Sequence, residues 1–96
     1  MNATASTLEA DLSQGGQEDF FVEALARGLA VIRCFDEARE RLTISEVARL
    51  TGLSRATARR SLLTLSTLGY VATDGKQFWL TPKILSLGHA YLSSTP

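Results

Sequence analysis

Three guanidinium groups crowd one short stretch. In TGLSRATARRSLLTL, from Thr51 to Leu65, Arg55, Arg59 and Arg60 stand without an acidic neighbour. The whole 96-residue chain nevertheless balances ten Lys+Arg against ten Asp+Glu. A guanidinium is a planar fork of donors. It makes paired hydrogen bonds to a phosphate, or to the O6 and N7 edge of guanine. Ser54 and Thr57 beside the arginines add hydroxyl donors of the kind that hold phosphate. On an isolated helix three arginines are ordinarily just a solvated face, so the elements around them carry the argument.

Leucines in the same stretch have core spacing. Ala58, Leu62, Leu65 and Leu68 predict the inner face of a helix from Arg55 to about Leu68, stopped by Gly69. Ser61 is small enough for a close helix crossing. Ser54 is a good N-cap. Only Leu53 separates it from Gly52, which closes the preceding helix in LTISEVARLTG. That helix opens on a T-x-x-E capping box, Thr43 to Glu46, and turns Ile44, Val47, Ala48 and Leu50 inward. Two helices joined by a short glycine turn make a helix-turn-helix. Upstream, Phe21, Leu25, Leu29, Ile32 and Phe35 predict a first helix from Phe20 to about Ala38. Gly28 in it leaves room for a neighbouring helix. Glu40-Arg41-Leu42 reads as a short exposed turn. Downstream, Tyr70–Thr73 and Gln77–Leu80 are β-prone runs, and Asp74-Gly75 between them signals a hairpin with Lys76 at its tip. Trp79 reads as core under that hairpin. Thr81-Pro82 opens a last helix. Ile84, Leu85, Leu87, Ala90, Tyr91 and Leu92 are too many apolar groups for one stripe, and Gly88 lies among them. Such a helix meets a second partner.

The predicted fold is therefore mainly α with a small β-hairpin wing. Residues 18–81 form a winged helix-turn-helix and residues 82–96 a C-terminal linker helix. Residues 1–17, polar and small, read as a disordered acidic leader. The charge is uneven: residues 1–23 hold five acidic and no basic side chains, and the remainder holds ten basic and five acidic. A basic domain behind an acidic leader suits a polyanionic partner.

Other function classes find little support. The single cysteine, Cys34, reads as a buried thiol. No charged-then-apolar leader or bilayer-length apolar run is present, which predicts a cytoplasmic chain without membrane contact. His89 is the lone histidine, so no metal site is expected. No nucleophilic triad, phosphate loop or carboxylate pair is visible, and neither an enzyme nor a cofactor is expected. A non-specific architectural DNA binder would be far more basic. A winged-helix protein-protein docking module without specific DNA recognition is the alternative that stays open.

On the DNA-binding reading, Arg55 and Arg59 with Ala56 face base edges in the major groove, and Arg60 faces phosphate or a packing edge. Ser54 and Thr57 meet phosphate. Ser45 and Arg49 of the second helix assist, though Ser45 and Thr43 also serve as caps. Lys76 on the wing meets the backbone or minor groove.

The segments ALARGLAVIRCFDE, LTISEVARLTGLSRATARRSLLTLSTLGYV and LTPKILSLGHAYLSS together resemble the N-terminal domain of IclR-family bacterial transcription regulators, from about Phe20 to Ser94. RATARRSLLTL and LGHAYLSS look most like the branch controlling aromatic-acid catabolism, the PcaR, PcaU and PobR type. The resemblance implies a homodimer or dimer of dimers on palindromic promoter DNA, paired through the first and linker helices. It implies a structural or phosphate-contacting role for Arg27. It also implies a small-molecule effector bound by a larger C-terminal domain, absent from this sequence, to which residues 82–96 lead.

Overall fold

The computed structural model describes residues 19–94; the predicted leader lies outside them. Helix α1 (Glu23–Arg33) is followed by strand β1 (Leu42–Thr43), helix α2 (Ile44–Thr51) and helix α3 (Arg55–Leu68). Strands β2 (Val71–Thr73) and β3 (Gln77–Leu80) come next, then a 3-10 turn (Pro82–Ile84) that runs into helix α4 (Leu85–Ser93). The strands form one antiparallel sheet in the order β1-β3-β2.

Local chemistry sets these boundaries. Thr43 Oγ1 accepts from the Glu46 amide at 3.2 Å, and the Glu46 carboxylate accepts from the Thr43 amide at 2.8 Å. This reciprocal box starts α2. Gly52, at φ 79°, ends it in the left-handed conformation that glycine tolerates. The turn of residues 52–54 is pinned by Thr51, which is 1% exposed. Its hydroxyl donates to the Val47 carbonyl at 2.7 Å and accepts from the Leu53 amide at 3.3 Å. Ser54 Oγ then accepts from the Thr57 amide at 3.1 Å and opens α3.

One core joins the layers. Ala58, Leu62 and Leu65 of α3 meet Val31, Cys34 and Phe35, Val47 and Ala48, and Leu42, Val71 and Phe78 of the sheet. Burial pushes the Cys34 thiol up to about 11.

Several sequence expectations need correction. The first helix ends at Arg33, not near Ala38. There the Asp36 carboxylate accepts from the amides of Ala38 and Arg39, at 3.0 and 2.9 Å, and bends the chain into a turn instead. The inner face of α1 is also rotated. Leu25 and Leu29 are exposed and Ala30 and Val31 are buried in their place, while Ile32 and, just past the helix end, Phe35 do face the core with Cys34.

Leu42 is the third correction. It is buried and pairs with Phe78, giving the sheet a third strand where an exposed turn was expected. A two-residue strand has no periodicity to read. Leu68 is the fourth: the core stops at Leu65, and Leu68 projects past it. A Cβ at Gly28 or Gly88 would meet nothing within 4 Å, so neither glycine serves a close approach within the chain.

Candidate nucleic-acid interface

Helix α3 is held by its inner face and offers its outer one. Ala58, Leu62 and Leu65 are buried, whereas Ser54, Arg55, Ala56, Arg59 and Arg60 are exposed and Thr57 is half-buried. Its first turn contains no acidic residue. The positive end of the helix dipole and three exposed guanidinium groups therefore belong to the N-terminal half of one helix, which favours anions. Arg59 and Arg60 have no ion pair with the described residues. Arg55 and Arg59, four apart, lie on one side of the helix.

Arg55 is oriented by its neighbour helix. Its Nη1 donates to Ser45 Oγ at 2.6 Å. The bond bridges the N-terminal ends of α2 and α3, so Ser45 belongs to the same surface. Arg49 is exposed on α2. Ser54 Oγ also donates to Thr57 Oγ1 at 3.0 Å, linking the two hydroxyls at the helix start.

Arg27 lies on α1, across a groove from part of this group. It pairs with Glu23 one turn back along α1. With Gly28 it lines an open groove whose far wall is Thr57, Arg60, Ser61 and Thr64 of α3. The groove brings Arg27 and Arg60 to one side of the domain.

The wing is a well-bonded hairpin. The Asp74 carboxylate accepts from the Gln77 and Lys76 amides, at 2.8 and 2.9 Å. Those two bonds, Gln77 first, hold its pKa below the ordinary 3.8. Thr73 Oγ1 donates to the Gln77 carbonyl at 2.8 Å and accepts from the Gly75 amide at 2.9 Å. Lys76 stands exposed at the tip, as expected. Because the folded pKa is lowered, the Asp74 contribution is present above 3.8 and is lost as pH falls through the folded value. The Lys76 and Gln77 amide resonances should therefore shift together in acid, and Asp74→Asn should abolish that step. A titration unchanged by the substitution would refute the role of this carboxylate.

Trp79 is not core. It is half-buried on the sheet face opposite Phe78, and the Arg41 guanidinium lies 3.8 Å from its ring centroid. Alternation along β3 sends Phe78 inward, so its neighbour faces out. Sequence reasoning missed the pairing because Arg41 lies far from Trp79 along the chain. Among the described residues no three His, Cys, Asp or Glu side chains gather as a metal site. No helix among them is long and apolar enough to cross a membrane.

Residues 24–75, more than half of the chain, match the family model of the IclR helix-turn-helix domain. The chain belongs to that family. This IclR domain is 54% identical over 76 residues to the Pca regulon regulatory protein of Pseudomonas putida, covering 79% of the chain and 26% of that relative. It is 47% identical over 74 residues to the p-hydroxybenzoate hydroxylase transcriptional activator of Acinetobacter baylyi, covering 77% of the chain and 27% of that relative. The crystal structure of an IclR family transcriptional regulator from Brucella abortus superposes with a TM-score of 0.78 at 38% identity, over 98% of this chain and 36% of that one. The winged helix-turn-helix is thus the family's fold. The chain spans about a quarter of the length of the curated relatives it matches.

Proposed function

We propose that this IclR domain recognises a specific palindromic duplex DNA as a symmetric dimer, within a bacterial transcription regulator of aromatic-acid catabolism. One observation carries the reading: Arg55, Arg59 and Arg60 stand exposed on the helix that a three-residue turn presents, with its opposite side locked in the core. A helix held in this way enters the major groove N-terminus first. In the proposed complex Arg55, Ala56 and Arg59 face base edges. Ser45 orients Arg55. Ser54, Thr57 and Arg60 meet the phosphate backbone, and Arg27 supports Arg60 from the facing wall of the groove. The names of the Pseudomonas and Acinetobacter relatives support the catabolic assignment.

Exposed apolar surface supports the dimer. Phe20 is 79% exposed, and Leu25 and Leu29 are open beside it on or near α1. α4 buries no residue and exposes Leu85, Leu87, Tyr91 and Leu92. Such surface needs a partner, and a second copy supplies the same patch by symmetry. A dimer of dimers uses the same elements. A small-molecule effector acts through a C-terminal domain outside these 96 residues. The domain works in the cytoplasm, where its DNA partner lies, and no catalysis is assigned to it.

Selection of bound duplexes from a random library tests this. An enriched inverted repeat, lost in the Arg55/Arg59/Arg60→Ala triple variant, is the expected result. Enrichment that survives the triple variant, or none from a folded chain, would move the weight to a protein-docking role. Lys76→Ala should weaken binding to all sequences alike and reduce the salt slope by about one contact. An unchanged slope would remove Lys76 from the interface.

A further inference from the structure

The C-terminal end of α3 is clasped by the segment that leads into α4. A helix ends with carbonyls that have no partner within it. The last carbonyl of α3 and that of the glycine after it are both taken from one short stretch. Lys83 Nζ donates to the Leu68 carbonyl at 2.7 Å, and Thr81 Oγ1 donates to the Gly69 carbonyl at 2.6 Å. The Thr81 amide adds a bond to the Tyr70 carbonyl at 3.0 Å. Lys83 Nζ also stands 5.0 Å from the Tyr70 ring centroid. The lysine stem lies so close to Gly69, at φ 93°, that a Cβ there would meet Lys83 Cδ at 3.3 Å. An ammonium at a helix C-terminus is favourably placed against the dipole. α4 itself buries no residue, so its direction relative to α3 is set at this clasp.

We propose that Lys83 is a positioning residue for DNA recognition: it fixes the angle between α3 and the pairing helix α4, so that two recognition helices meet two half-sites at a set spacing. This rests on the dimeric reading above. Once one half-site is bound, the second binds intramolecularly, with an effective concentration that depends on how stiff the connection is. A loosened joint leaves the contacts at each half-site intact. It spreads the positions of the second recognition helix and weakens only the double engagement. A residue that merely stabilised the fold would affect both duplexes equally.

The test compares the 96-residue chain with Lys83→Met, which keeps the stem without the charge, and with Lys83→Arg, which restores a cationic donor. Each is titrated with the selected inverted repeat and with the same duplex carrying one scrambled half. Lys83→Met should bind the repeat about three- to fivefold more weakly, the size of one cation at a helix end. It should bind the half-site unchanged, and Lys83→Arg should recover the loss. Spin labels at Thr67→Cys and Ala90→Cys, diluted with unlabelled chain, give a second readout without DNA. Their distance distribution should be narrow in the parent and broad in Lys83→Met. Equal loss on both duplexes, no loss on either, or an unchanged distribution would overturn the proposal. A parent chain with no preference for the repeat overturns the dimeric reading itself. The two failures are told apart by the distance distribution, which broadens in Lys83→Met only if the clasp holds the joint.

Discussion

Leu62→Ala should lower the unfolding free energy by about 2–5 kcal/mol, the range for deleting a buried leucine whose cavity cannot fully collapse. Leu62 is 0% exposed at the middle of α3. It lies in the cluster that joins α1, α2, α3 and the sheet, among other buried side chains. A domain of this size has about 5–15 kcal/mol in total, and a loss at the upper end would leave a substantial unfolded fraction. Leu63, the next residue, is 37% exposed. Its alanine variant should change stability by about 0.5 kcal/mol or less if surface position is what matters. Urea unfolding followed by circular dichroism reads both. Equal losses at the two positions would contradict the assigned inner face of α3.

Arg59→Ala should cost about 1–3 kcal/mol of binding to the selected repeat, and should relax preference at one base pair in each half-site. Arg59 is exposed, lies on the same side of α3 as Arg55, and meets no carboxylate among the described residues. Its fork is therefore available for a base edge. Arg60 lies about a hundred degrees further round the helix and lines the groove facing Arg27. Arg60→Ala should weaken all duplexes by a similar factor, as a phosphate contact does. Repeating the library selection with each single variant separates the two. Uniform loss from Arg59→Ala, with a salt slope lower by about one, would make Arg59 a phosphate contact instead.

Much of the candidate interface was legible because its signals are local. A capping box, a glycine at a helix end and a hydroxyl N-cap each act within four residues. They placed α2, the turn and α3 almost to the residue. Asp74-Gly75 marked the wing in the same way. Three things were not legible. The rotation of α1 was hidden because its leucines have helical spacing whichever neighbour they face. β1 was hidden because two residues carry no period. The Ser45–Arg55 bond, the Arg41–Trp79 contact and the Lys83 clasp join residues ten to several tens of positions apart.

By itself, then, the sequence determined the order of the helices and the hairpin, the helix that bears the arginines and the side of that helix turned inward. Caps, turns and the 3.6-residue period are short-range physics, and they are written where they act. The tertiary structure alone decided which apolar residues remain outside. Leu25, Leu29 and the α4 leucines could equally have filled a core. They stay exposed because Val31 of α1, with Cys34 and Phe35 just past its end, already closes it. It also decided where each charged group is anchored, with Arg55 on Ser45, Arg27 on Glu23 and Lys83 on the end of α3. Those contacts depend on the crossing of helices, which packing volume sets and no local pattern records.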